Sequence, residues 1–215
     1  MSQHTLTLLR FTYKKLKEKL TVSDSKKIFH EQFPYVISGL YKRIVDEMLV
    51  ELNLLNHQNE FKQDELFCLG LTETFKELTS GYKPEKHLDL LFESLCSATN
   101  FIAEEIKEIS KKTKKEFKEK TSRDILKLLV DKSNSKLYPS RVFNLGIYIL
   151  ISNSTDFKEK NESEVNKIIS DFFEKLSLSP DKAEKDIGIY KSSILKLKQA
   201  RELIEELRIK DKKKE

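Results

Sequence analysis

The stretch YVISGLYKRIVDEMLVELNLL, Tyr35 to Leu55, sets the fold class. Its apolar residues Ile37, Leu40, Tyr41, Ile44, Val45, Met48, Leu49, Leu52 and Leu55 recur at three-and-four spacing, which lays one continuous stripe along an α-helix. Lys42, Arg43, Asp46, Glu47 and Glu51 fall off the stripe, so one face is expected inside and the other in water. Pro34 stands just ahead of it, where a missing amide donor does no harm. Full burial of a large apolar side chain stabilises by about 1.5 to 3 kcal/mol, most of it cancelled by conformational entropy. With so many on one stripe, the rest of the chain is expected to pack on this helix.

Working outward, the same periodicity continues in both directions. Ser23 as N-cap with Asp24 in the first turn predicts a short helix to Phe33, with Ile28 and Phe29 inside. Asn56 to Glu60 reads as a loop. A helix from Asp64 uses Leu66, Phe67, Leu71, Phe75 and Leu78 and ends at Gly81. Pro84 opens the next, with Leu88, Leu91, Phe92 and Leu95 inward, as an antiparallel neighbour of the one before. From Phe101 the pattern thins to Ile102, Ile106, Ile109 and Phe117, and the lysines of 111–120 predict a solvated face. Thr121 with Asp124 forms a capping-box pattern ahead of Ile125, Leu126, Leu129 and Val130, and Ser133 to Ser135 breaks that helix. Residues 139–152 are nearly all apolar and predict an enclosed helix. Asn161 and Glu164 open another, carrying Val165, Ile168, Ile169, Phe172 and Phe173. Gly70 and Gly146 sit inside helical patterns at a cost of about 1 kcal/mol each, which a close helix crossing would explain.

Ser179 and Pro180 start the last helix, whose only breaker before the terminal DKKKE is Gly188. Its stripe runs through Ile187, Tyr190, Ile194 and Leu197, then shifts to Ala200, Ile204 and Leu207, a stutter-like slip. The highly charged part from Gln199 onward has too narrow a stripe to be core, so it is expected to project as a partner-binding coiled coil or a frayed end.

Composition agrees with an all-α fold. The 215 residues include only 5 glycines and 4 prolines, with 38% hydrophobic and 35% charged residues. The expected organisation is an extension over residues 1–20, a multi-helix bundle over 21–178, and a long charged helix with coiled-coil character over 179–215. The net charge of +5 is concentrated at the start, where Arg10, Lys14, Lys15, Lys17 and Lys19 face only Glu18. The body is close to neutral, which argues against nucleic acid as a partner. In the extension, Leu6, Leu9, Tyr13, Leu16 and Leu20 form a stripe among basic residues. Membrane-surface binding, docking on the bundle and a frayed extension all remain open for it. The most apolar run, 142–151, is about half the length a bilayer requires, and the N-terminus lacks the order of a secretory signal.

Reactive motifs are missing. No Glu-x-x-His pair, HExxH, CxxC, GxSxG or glycine-rich phosphate loop occurs, so no metal, cofactor or catalytic residue is expected. Cys68 and Cys96, on apolar faces, read as buried thiols.

The runs VSDSKKIFHEQFP (Val22 to Pro34), YKRIVDEMLVELNLL (Tyr41 to Leu55) and FKQDELFCLGLTETFKELTSGYKPE (Phe61 to Glu85) resemble the thylakoid-formation family, also called photosystem II biogenesis proteins. So do YPSRVFNLGIYIL (Tyr138 to Leu150) and KDIGIYKSSILKLKQARELIEEL (Lys185 to Leu207). Tyr35 and Val36 stand where the family tends to carry a second proline and an arginine. The resemblance implies a non-enzymatic accessory factor for thylakoid membrane biogenesis and photosystem II assembly or repair. It also implies a peripheral position on the cytoplasmic side of the thylakoid membrane and association with an FtsH-type membrane protease, with photosystem II subunits as further partners. On that reading Leu203, Ile204 and Leu207, flanked by Lys198, Arg201 and Arg208, supply a helix-docking surface. The rival readings are a membrane-surface protein acting through its basic N-terminal helix and an enzyme of pigment or lipid metabolism.

Overall fold

A computed structural model describes residues 19–132, 137–158 and 160–212, with all side chains in them except those of residues 162, 208, 211 and 212. The fold is all-α. Among the described residues there are nine α-helices and no strand: α1 Val22–Gln32, α2 Gly39–Asn56, α3 Glu65–Leu78, α4 Leu88–Ser97, α5 Ala103–Phe117, α6 Ser122–Lys132, α7 Arg141–Ser152, α8 Glu162–Lys175 and α9 Pro180–Lys212, with a 3-10 turn at Glu85–His87. The basic stretch of residues 1–18 and the break at Ser133 to Ser135 lie outside the described residues. Two compact units are present, one from the chain up to Phe61 with Lys86–Ala103, the other from Lys62–Glu85 with Glu104 onward.

In the first unit α1, α2 and α4 pack on one another. The α2 stripe turns inward through Tyr41, Val45, Met48, Leu49, Leu52 and Leu55, against Phe29 and Phe33 before it and Leu91, Phe92 and Leu95 after it, all buried. Asn53 is the polar exception. Its Nδ2 donates to Ser25 Oγ at 2.9 Å and to the Leu20 carbonyl at 2.8 Å, so the one buried amide on α2 fixes the start of α1.

Three local expectations are corrected here. The N-cap of α1 is Thr21, not Ser23: Thr21 Oγ1 accepts from the Asp24 amide at 3.1 Å, and Asp24 Oδ2 accepts from the Thr21 amide at 3.0 Å. Ser23 would need its reciprocal acceptor at Lys26, which can only donate. The second helix begins at Gly39 rather than at Tyr35, with Ser38 as N-cap. Pro84 does not open a helix: its bond to Lys83 is cis, and α4 starts at Leu88 after the 3-10 turn.

The second unit has its own centre, so α2 is not what the whole chain packs on. Its principal pairing is α3 with α7, and α9 lies against α7, α8 and α3. The crossing of α3 and α7 is possible only because both helices carry glycine there. A Cβ on Gly70 would sit 2.0 Å from the Val142 carbonyl oxygen, and one on Gly146 would sit 2.0 Å from that of Leu66. Around it Leu66, Phe67, Leu69, Leu71, Phe143, Ile147 and Ile151 are buried. The loss of helix propensity at each glycine is offset by backbone-to-backbone approach.

Caps and ion pairs fix the remaining elements of this unit. Asp64 caps α3, accepting from the Phe67 amide at 2.8 Å. Thr121 and Asp124 form the expected box at α6, and Asn161 with Glu164 does so at α8. The lysine-rich α5 exposes most of its cations and keeps Ile106, Ser110, Thr113 and Phe117 inside; of the apolar edge read from the sequence, Ile109 is half-buried and Ile102, just before the helix, is exposed. Lys132 on α6 bridges Glu65 of α3 at 3.1 Å and Glu116 of α5 at 2.7 Å.

Candidate functional site

The long helix α9 carries the surface expected to bind a partner. Its 33 residues span about 50 Å at 1.5 Å per residue. Ala183, Ile187, Tyr190 and Leu197 are buried, and polar contacts secure the same stretch. Asn144 of α7 donates to Asp186 at 2.8 Å, and Lys182 Nζ donates to the Pro139 carbonyl at 2.9 Å. Tyr148 and Tyr190 meet edge to face at 6.3 Å. Burial, and then the carboxylates of Glu77 and Glu73 around it, hold the Tyr190 phenol above its ordinary range, so it stays a neutral packing group.

Beyond Leu197 burial stops while the apolar pattern continues. Leu203 is 57% exposed, Ile204 41% and Leu207 51%. On a helix of 3.6 residues per turn these three lie roughly 110° around the axis from the buried line of Ala183, Ile187, Tyr190 and Leu197. The slip in the sequence pattern is therefore a rotation of the apolar stripe away from the bundle, which leaves an amphipathic helix with its greasy side open.

The flanking residues divide. Lys198 is exposed, with no polar partner among the described residues. Arg201 falls on the bundle-facing line, and its guanidinium donates to the Ser80 carbonyl and, at 3.1 Å, to Ser80 Oγ. It braces the start of the projecting half against the segment after α3 rather than flanking an open surface. The side chain of Arg208 lies outside the described residues.

Other chemistry-bearing groups are scattered. Among the described residues no three His, Cys, Asp or Glu side chains are placed to share a metal ion. Cys68 and Cys96 are both buried and unbridged, in separate units. Burial, reinforced by the charges of Asp64 and Glu105, pushes the Cys68 thiol up to about 12, which makes it inert. Among the described residues no helix is long and apolar enough to cross a membrane.

Two features escaped the sequence reading. Val36 is 95% exposed, next to Tyr35, whose ring stacks on His87 at 3.8 Å. The periodicity had assigned Tyr35 to the start of the helix, whereas the chain bends there and the helix does not begin until Gly39. Gly188, taken only as a breaker, lies in a groove between α8 and α9. An interior glycine with no helix stop beside it was the available signal.

Comparison with known proteins supplies what the geometry does not. The thylakoid formation protein model matches residues 21–215. Protein Thf1 of Prochlorococcus marinus (strain MIT 9312) is 80% identical over 93% of this chain and 99% of its own length. Protein Thf1 of Prochlorococcus marinus subsp. pastoris (strain CCMP1986 / NIES-2087 / MED4) is 70% identical over 92% and 98% respectively. The solved structure of Psb29 superposes with a TM-score of 0.79 at 27% identity, covering 91% of this chain and 98% of that one. With a model matched across nearly its whole length and close relatives over the same span, the chain belongs to the thylakoid formation protein family.

Proposed function

We propose that this protein is a non-catalytic accessory factor in thylakoid biogenesis and in photosystem II assembly or repair. It is held peripherally at the cytoplasmic side of the thylakoid membrane as a scaffold for an FtsH-type membrane protease. Membership of the thylakoid formation family supports the process. The protease and photosystem parts rest on the resemblance already described. The observation that carries the mechanism is the end of burial at Leu197 within an unbroken helix: Leu203, Ile204 and Leu207 present an apolar stripe of the kind that lies in a partner's groove. Lys198 is exposed but lies more than about 100° around the helix from this stripe, and Arg201, bonded to Ser80, sets the stripe's direction.

Truncation after Lys198 tests this reading. Tagged full-length and truncated proteins are recovered from detergent-solubilised thylakoid membranes, and the protease in each is quantified by immunoblot. Loss of the protease from the truncated sample is expected. Undiminished recovery would mean that the C-terminal half of α9 is not the contact.

A further inference from the structure

Gly188 lies in the interior of a helix, yet, like Gly39 at the start of α2, it has no neighbour among the described residues that requires a glycine. At Gly70 and Gly146 a Cβ would collide with a neighbouring backbone, whereas at Gly188 nothing lies within 4 Å of the position a Cβ would take. A glycine inside a helix costs about 1 kcal/mol relative to alanine, and here no contact among the described residues recovers it.

What lies over Gly188 is a groove of about 250 Å³ between α8 and α9. Ile169 and Ile187, both buried, form its floor, and Asp181, Glu184 and Ser170 stand along its sides. Among the described residues none of these three side chains has an ion-pair or hydrogen-bond partner. The cation in the lining, Lys191, sits 5.3 Å from the centre of the Tyr148 ring, where the aromatic face attracts it. The groove therefore offers a backbone surface with no side chain on it, an apolar floor and an open negative wall.

The α3 and α7 pair shows what a glycine notch in this protein admits, namely a second helix at backbone contact. We infer that the α8/α9 groove receives a basic helical segment of another protein. That segment would place a small residue over Gly188 and a lysine or arginine one turn away, between Asp181 and Glu184. The turn spacing matches, because Glu184 is four residues before Gly188 on α9. The long stem of such a cation covers Ile169 while its head meets the carboxylates. This surface belongs to the bundle-packed half of α9 and does not depend on the role given to Leu203, Ile204 and Leu207.

Fluorescence anisotropy with a labelled alanine-based helical peptide tests the inference, using a probe with a central glycine and lysines four residues to either side. The full-length protein is expected to bind this peptide at least about tenfold more tightly than a version with glutamates for the lysines, and added salt should weaken the binding. Gly188→Leu puts a side chain into the notch from a Cβ position with nothing within 4 Å and improves helix propensity, so it should melt no lower than the parent while losing about tenfold in binding. Asp181→Asn with Glu184→Gln should lose a similar factor with the notch intact. Equal binding of the two peptides, undiminished binding by Gly188→Leu, or no binding of the lysine peptide would each overturn the proposal.

Discussion

Gly70 and Gly146 face one another across the α3–α7 crossing, and a Cβ on Gly146 would lie 3.3 Å from the Gly70 amide nitrogen and 2.0 Å from the Leu66 carbonyl oxygen. Backbone cannot give way as a flexible side chain would, so even a methyl group must push the two helices apart. Gly146→Ala and Gly70→Ala should each destabilise by about 3 kcal/mol or more, against the usual gain from replacing glycine in a helix. Gly188→Ala, with open space around it, should instead stabilise by about 0.5 to 1 kcal/mol. Urea unfolding of the three variants checks the predicted change of sign.

Asp156 braces the start of α6 from the loop after α7. Its carboxylate accepts from the Ser122 amide at 2.8 Å and the Ser122 hydroxyl at 2.6 Å, with Lys160 at 3.7 Å. Burial acts to raise its pKa, but the hydrogen bonds from Ser122 and Ser154 outweigh it and bring the group down to about 2. A folded value below the unfolded value of about 3.9 gives stability that is present above that value and disappears as pH falls toward 2. Asp156→Asn should flatten stability between about pH 4 and pH 2 while costing stability at neutral pH. Acid titration followed by circular dichroism measures both.

Asp64 runs the other way. Burial is the main cause of its rise to about 6, with Glu65 adding to it and the amides of Phe67 and Leu66 opposing. Its folded value lies above the unfolded one, so its contribution is most favourable below about pH 4 and is lost as pH climbs through about 6. Asparagine caps a helix equally well without the charge. Asp64→Asn should therefore match or exceed the parent at pH 7.5, whereas Asp64→Ala, which loses the cap, should lose about 1 kcal/mol. Melting temperatures of the pair at pH 7.5 decide it.

Removal of everything after Lys198 should leave the melting temperature almost unchanged. The lost side chains are mostly exposed, and the bond from Arg201 to Ser80 is a surface contact worth about 1 kcal/mol at most. Differential scanning calorimetry on the truncated protein provides the check, and a stable fold makes its partner-recovery result interpretable.

Both thiols should resist modification. Cys68 and Cys96 are fully buried, and Cys68 is held far from its thiolate form. Thiol titration with an aromatic disulfide reagent should count neither in native buffer and both in 6 M guanidinium.

Much of this architecture was legible because helix periodicity and caps are local. The Asn161 and Glu164 start of α8, the helix start near Asp64 and the enclosed run of 141–152 each follow from residues close together in the chain. Errors arose where two local solutions competed, as with Thr21 and Ser23, decided by the ability of Asp24 and the inability of Lys26 to accept a hydrogen bond. Long-range relations were less accessible. That Gly70 and Gly146 mark a crossing could be suspected, but nothing in their surroundings says that they meet each other. The bond between Arg201 and Ser80 joins residues 121 apart and has no sequence signature. The exposed stripe at Leu203, Ile204 and Leu207 was legible as amphipathic, while its rotation away from the packed line required the burial of Ala183 through Leu197 to be seen.

The threading of the chain between the two units has a bearing on synthesis. After Phe61 the polypeptide leaves the first unit to make α3, returns at Lys86 for α4, and goes back at Glu104. The helix that α3 packs against most, α7, emerges from the ribosome 76 residues after Gly70, reckoned from Gly70 to Gly146. At 5 to 20 residues per second that is roughly 4 to 15 s during which the nascent α3 has no permanent partner for its greasy face. Translation speed and chaperone supply should therefore govern the yield of this protein most strongly over that interval, and no single cut in the gene yields both units intact.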